Sequence, residues 1–202
     1  LISGTNNIMA GTTTALKTLQ INDGTVKFAG QSSLPSNGVI IISPMDGAAF
    51  DLNGQNLTIA ALGGQTLATA ATGRVINTGA DATLTLAART GITSNANGLI
   101  TGNIALFKDG IGTVILGYNN DYTLGTTIGT GNITSASGVL SSLGALQVNS
   151  FSSLGTGPVN LAGGVLDIRN PIAANEVQDN IDVIAFGPGN GYDLVIKGLN
   201  NL

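Results

Sequence analysis

The stretch Phe107 to Ile128, FKDGIGTVILGYNNDYTLGTTI, decides how the rest of the chain is read. Asp109-Gly110 is an Asx-Gly pair, a combination that accepts positive φ and so turns the backbone tightly. Thr113 and Ile115 then alternate with Val114 and Leu116, the period-2 pattern of a short strand. Gly117 bends the chain, and Tyr122 and Leu124 lead into a second short strand ending at Ile128. After an irregular segment the scheme returns in Ser153 to Ile168, SLGTGPVNLAGGVLDI. Gly155 and Gly157 make a corner, Val159 and Leu161 point one way along a strand, Gly163-Gly164 turns again, and Val165 to Ile168 forms the next strand.

The same rhythm extends outward in both directions. Short β-prone runs fall at Leu19 to Ile21, Val26 to Phe28, Val39 to Ile42, Ala49 to Leu52, Leu57 to Ala60, Thr83 to Leu86 and Ile104 to Phe107. Beyond the quoted stretch come Leu146 to Val148, Ile181 to Ala185 and Asp193 to Ile196. Asx-Gly pairs punctuate them at Asp23-Gly24, Asn37-Gly38, Asp46-Gly47, Asn53-Gly54, Asn97-Gly98 and Asn190-Gly191. Runs this short at this density predict an all-β fold.

Composition separates the two architectures that could use such a rhythm. Only 4% of the residues are aromatic, whereas sandwiches and closed barrels fill their cores with large aromatics. A coiling parallel β-helix has a narrow interior that suits Val, Ile, Leu and Ala. Only 9% are charged, so the surface has to be covered by Thr, Ser, Asn, Gly and backbone. A solenoid held by backbone bonds from turn to turn tolerates that surface. The expectation is therefore one continuous parallel β-helix domain over residues 1–202. At roughly 20 to 25 residues per turn it would make about eight to ten turns and a rod of about 40 Å. Gln65 to Thr72, rich in Ala and Leu, could form one helical turn or, with its alternating Thr, a strand. The five Pro residues are scattered, and no Pro/Ser-rich spacer marks a linker.

At the quoted residues the chain resembles the passenger-associated transport repeat of bacterial autotransporter proteins. Its pattern is approximately K-x-G-x-G-T-L-x-L-x-G-x-N-x-Y-T-G-G-T-x-I followed by S-L-G-x-G-x-V-x-L-x-G-G-x-L. Lys108, Gly110, Gly112, Thr113, Leu116, Gly117, Asn119, Tyr122, Thr123, Gly125, Thr126 and Ile128 match the first part. Ser153, Leu154, Gly155, Gly157, Val159, Leu161, Gly163, Gly164 and Leu166 match the second. The match covers residues 107–168, and spacing as well as composition agrees. Leu124 stands where the family carries Gly, and Asn120 is an extra residue that lengthens the turn before Tyr122. The resemblance implies a right-handed, single-stranded parallel β-helix exported to the bacterial cell surface. Family members act there as adhesins, as stalks for other domains or as carriers of enzymes, and self-anchoring ones carry a C-terminal outer-membrane barrel. No barrel pattern occurs in these 202 residues, so the chain is expected to be a fragment or module of a longer secreted surface protein.

Without His the usual proton carrier at neutral pH is missing, and without Cys there is no disulfide, thiolate nucleophile or zinc knot. Polysaccharide-active enzymes also use β-helices; they need paired carboxylates, or an acidic calcium cluster with a basic residue. Asp179, Asp182 and Glu176, with Arg169 upstream, form the local acidic group, and adjacent turns could bring Asp109 near Asp121. Solvated turn carboxylates near a strand start are the better account of both sets. Gly187 to Val195 half-matches a calcium nonapeptide, but in a single copy, whereas calcium rolls share each ion between tandem copies. The Gly-x-Gly pairs at Gly110, Gly129, Gly155 and Gly189 open no helix, which removes a nucleotide reading. Asn56 and Asn132 begin formal glycosylation sequons, which an Asn- and Thr-rich chain produces by chance. Tyr118, Tyr122 and Tyr192 could stack on sugars if exposed; for Tyr122, capping the interior at a turn fits better. No catalytic residue, cofactor or metal ligand is assigned.

Seven basic and eleven acidic residues are spread without a cluster, giving a net charge of −4 and none of the electrostatic footprint that nucleic acid binding needs. No apolar run approaches the length of a membrane span. The expected role is noncatalytic: an extracellular adhesin or structural stalk whose partners are a host or matrix glycan or protein, or copies of itself end to end. A self-assembling filament, sheath or surface-layer subunit is the alternative within that class, and a polysaccharide lyase or glycosidase the alternative outside it.

Overall fold

The computed structural model describes residues 7–9, 18–30, 39–42, 48–64, 73–89, 91, 93–96, 98–129, 144–149, 151–162, 164–169, 180–185 and 194–198. Their strands stack into three faces of a parallel β-solenoid, at most one strand per face per coil. One face holds β1 (Asn7–Met9), β3 (Thr25–Phe28), β5 (Ala49–Asp51), β8 (Arg74–Ile76) and β11 (Leu99–Ile100). A second holds β6 (Leu57–Ile59), β9 (Ala82–Ala87), β12 (Ile104–Asp109), β14 (Thr126–Ile128) and β16 (Val159–Leu161). The third begins with β2 (Thr18–Ile21), β4 (Val39–Ile42) and β7 (Ala61–Gly64) and continues with β10 (Thr93–Ala96), β13 (Thr113–Leu116), β15 (Ala145–Val148) and β17 (Val165–Arg169).

Alternation along each strand builds the core. In β9 and β12 the first, third and fifth side chains are buried and those between are half-exposed, as a pleated strand with one wet face requires. Register then stacks like on like from coil to coil. Val26, Phe50, Val75 and Ile100 form one inner file, and Val114, Leu146 and Leu166 form another. The interior is mainly aliphatic, with Phe28 and Phe50 as a tilted pair, ring centroids 5.7 Å apart, and Tyr122 as its third large ring.

Between β7 and β10 the backbone ladder is replaced by a side chain. Ser94 is buried, its hydroxyl donates to the carbonyl of Leu62, and the Leu62 amide donates back to Ser94 Oγ. One hydroxyl can do both because it carries a donor and two acceptor lone pairs.

Two of the three faces stack five parallel strands each and the third seven, fewer than the eight to ten turns expected. One long coil and an antiparallel end take up the difference. From Ile100 to Asn120, bonded on the next coil, is 20 residues, but from Asn120 to Ser153 on the coil after that is 33. At about 4.8 Å per rung, five rungs rise roughly 20 Å. The other departure lies after β17: β18 (Asn180–Ala185) pairs with it antiparallel, and β19 (Leu194–Gly198) pairs antiparallel with β18. Two antiparallel strands thus follow the parallel stack on this face. Gln65 to Thr72 lies outside the described residues.

Candidate functional site

Lys108 occupies an inward position of β12, in the file of Leu86 and Ile128, and is fully buried. Its ammonium donates to the carbonyls of Asp109 (2.8 Å) and Gly110 (2.7 Å), closing the turn onto the end of the strand. Gly110 sits at φ 72°, and a Cβ there would run into the Ala88 carbonyl of the preceding coil. The Lys-x-Gly element of the repeat is thus a self-contained corner: a cation inside the solenoid capping the carbonyls of its own turn.

Burial lowers the Lys108 pKa from 10.5 to about 8, partly opposed by the adjacent Asp109 carboxylate. Burial also raises the Tyr122 phenol well above its ordinary 10, against the hydrogen bond to Thr126. These shifts act in opposite directions on stability. Between pH 8 and about 10 the unfolded chain binds more protons at Lys108 than the folded one, so stability rises. Above 10 the unfolded tyrosine ionises while the folded one stays protonated, so stability falls. Thermal melts across pH 7 to 12 should peak near pH 10, and Lys108→Met should flatten the rising limb.

Tyr122 and Asn120 knit the next coils together. The Thr126 hydroxyl spends its proton on the Leu154 carbonyl at 3.0 Å, so Tyr122 Oη is the donor in its bond to Thr126 Oγ1. Asn120 is buried; its side-chain oxygen accepts from the Ile100 amide at 2.9 Å, and its Nδ2 donates to the carbonyls of Tyr118 (3.2 Å) and Ser153 (2.7 Å). Its backbone amide donates to Ser152. Here the face that began with β1 has no further strand among the described residues, and the Asn120 side-chain amide joins scattered backbone bonds, such as Asp121 N–H to Ile100 O, in linking the coils. At Ser153 the hydroxyl is buried without a hydrogen-bond partner among the described residues.

A polar column runs along another corner. The buried Asp51 carboxylate accepts from the amides of Asn53 and Thr78 and from the Thr78 hydroxyl, with Lys27 Nζ 3.7 Å away. Asn53, at φ 52°, donates to Phe28 O one coil back, while Asn77 accepts from the Gly54 amide and donates to Asn103 O one coil on. Each asparagine therefore ties its own turn to a neighbouring coil, and these side chains are consumed by architecture.

The sequence-derived candidates separate as follows. Asp109 stands at the end of β12, accepting from the Gly110 amide, whereas Asp121 follows Asn120 on another face, its amide bonded to Ile100. The length of the β12 strand lies between those corners, and they are not brought together. Asp179, Glu176, Tyr192, Asn132 and residues 187–193 of the calcium half-match lie outside the described residues. Asp182 falls in β18, in register with Asp167 on one side and Lys197 on the other. That register could not be found from sequence, because it depends on the antiparallel pairing of β17, β18 and β19. Among the described residues no group of three potential metal ligands converges. Tyr122 is fully buried, so it caps the interior and presents no face to a sugar. Asn56 accepts from the Thr83 amide, tying its turn to the next rung. No helix among the described residues is long and apolar enough to cross a membrane.

The second face, β6 through β16, presents the most regular outer surface. Thr58, Thr85, Phe107, Thr127 and Asn160 lie in register along one outward file. Thr83 and Ala105 continue the pattern beside it. The file is uncharged and built of neutral hydrogen-bonding groups around a single aromatic ring.

Compared with models of protein families, with curated proteins and with solved structures, the chain matches none.

Proposed function

We propose that the chain is a noncatalytic segment of an extracellular bacterial surface protein of autotransporter type, serving as an adhesin or stalk. The observation that carries this reading is the outward file of uncharged residues, mostly polar, held in register on a solenoid whose corners bond within themselves. Rungs about 4.8 Å apart repeat the same groups at fixed spacing, which suits weak contacts multiplied along a partner. The repeat at 107–168 supports the family assignment, and its conspicuous residues have structural work to do: Lys108, Gly110, Tyr122 and Thr126 close corners and join coils.

End-to-end assembly is the second reading, favoured by β16. It is the edge strand of its sheet, and Val159 is 41% exposed where its register partner Thr126 is buried. Beads coated with the chain should be retained on cell or matrix layers under flow about severalfold better than albumin-coated beads. Retention no better than albumin would overturn the adhesive reading. Sedimentation that grows with concentration would favour assembly. New reducing ends or unsaturated products from polyuronides, lost in Asp182→Ala and Asp179→Ala, would make the chain an enzyme instead.

A further inference from the structure

On the outer surface of the second face, one aromatic ring lies along the sheet. Phe107 sits in the outward file between Thr85 on β9 and Thr127 on β14. Its Cε2 and Cζ are 3.0 and 3.3 Å from the point where a Cβ on Gly129 would stand, so the ring leans onto the next rung and covers that glycine, which is buried. A side chain at 129 would push the ring upright.

The flanking hydroxyls of Thr85 and Thr127 make no hydrogen bond among the described residues, and both residues are half-exposed. Ala87 and Ala105 keep the neighbouring positions low. The result is an open strip about three rungs long, with an apolar ring at its centre and a free donor-acceptor group on each side.

We infer that this strip binds a neutral, extended β-1,4-linked hexose chain, laid along the solenoid axis with one pyranose face on Phe107. This deepens the adhesive reading and rests on it. Three features select that partner. A pyranose ring has an apolar C–H face that packs on an aromatic ring and an equatorial rim of hydroxyls that bond to either side. The rung spacing of about 4.8 Å is close to the length of one sugar residue, so a flat, extended chain meets one rung per sugar, whereas a coiled one does not. The charge of the strip fits a neutral partner: its file carries no charged residue, and the Asp109 carboxylate in the adjacent file is offset by the Lys108 ammonium beside it, so no net charge is offered to an anionic polymer.

The test is a titration of the isotope-labelled chain with cellohexaose, chitohexaose, maltohexaose and hexagalacturonate, followed by amide chemical shifts. Cellohexaose or chitohexaose should move Thr85, Phe107, Thr127 and Gly129, and the coiled and anionic hexamers should not. Phe107→Ala should weaken the apparent affinity about tenfold or more. The double variant Thr85→Val, Thr127→Val keeps β-branched side chains on the strands, and with an unchanged circular dichroism spectrum it should weaken binding on its own. Either of three results overturns the assignment: neither extended neutral hexamer shifts these amides at millimolar concentration, hexagalacturonate binds as well, or the folded variants bind like the parent. Bead retention separates this failure from that of the adhesive reading. Retention that survives Phe107→Ala removes the strip alone, and parent beads that do not adhere remove the adhesive role.

Discussion

Tyr122→Ala is expected to destabilise the solenoid by about 3 to 5 kcal/mol, the range for deleting a large ring from a packed interior. The ring is fully buried, and its hydroxyl begins the chain through Thr126 to Leu154 that joins two coils. Tyr122→Phe keeps the packing and breaks only the hydrogen bond, which leaves Thr126 Oγ1 its donor role toward Leu154; it should cost about 1 kcal/mol. Solenoids unfold as neighbouring repeats coupled through their interfaces, so the damage should be local. Denaturant melts read the total, and hydrogen exchange should show protection falling first around residues 100–129 and 151–162. Equal losses for Phe and Ala at position 122 would mean that the hydrogen bond dominates the packing.

Asn120→Ala is the second large effect, expected at about 2 to 4 kcal/mol. It removes three hydrogen bonds at once and strands the Ile100 amide and the Ser153 carbonyl in the interior. A buried backbone group without a partner costs about 1 to 3 kcal/mol, which is more than the bond itself is worth when made. Ser152→Ala gives the contrast. Its hydroxyl bonds Asn119 on the exposed surface, so denaturant midpoints should barely move.

Asn120 also marks where sequence reasoning reached its end. As a departure from the repeat pattern it looks like an extra turn residue, because spacing along one coil carries no trace of what the neighbouring coils leave unsatisfied. The strands themselves were mostly legible: alternation and Asx-Gly turns place β2, β3, β9, β12, β13 and β17 to within a residue or two. Others, β1 and β11 among them, are invisible to pattern. In β10, TSNA, the buried Ser94 earns its inward position through the Leu62 backbone, and polarity alone argues against a strand. β7, ALGG, carries two glycines that propensity penalises, yet neighbours on one side supply the ladder. β8, RVI, is too short to show a period. The corner role of Lys108 was unreadable for a related reason. A lysine between Phe107 and Asp109 reads as surface, and only the file of Leu86 and Ile128 shows that it points inward.

The outer strip was hidden differently. Tyrosines are the usual sugar-stacking rings, but Tyr122 went to the core, and the ring that faces outward along the second face is Phe107, whose posture depends on Gly129 one coil away. Residues brought together by stacking are separated by a coil of variable length, so no fixed spacing announces them.

That variable length has an evolutionary side. Successive coils between Ile100, Asn120 and Ser153 differ widely in residue count, yet the files of β13 and β15 remain in register above and below the longer one. The core constrains only the residues on the rungs, so a corner can accept or lose sequence without renegotiating the interior. A lineage built on this scaffold is free to grow new surface at its corners while its hydrophobic files stay unchanged.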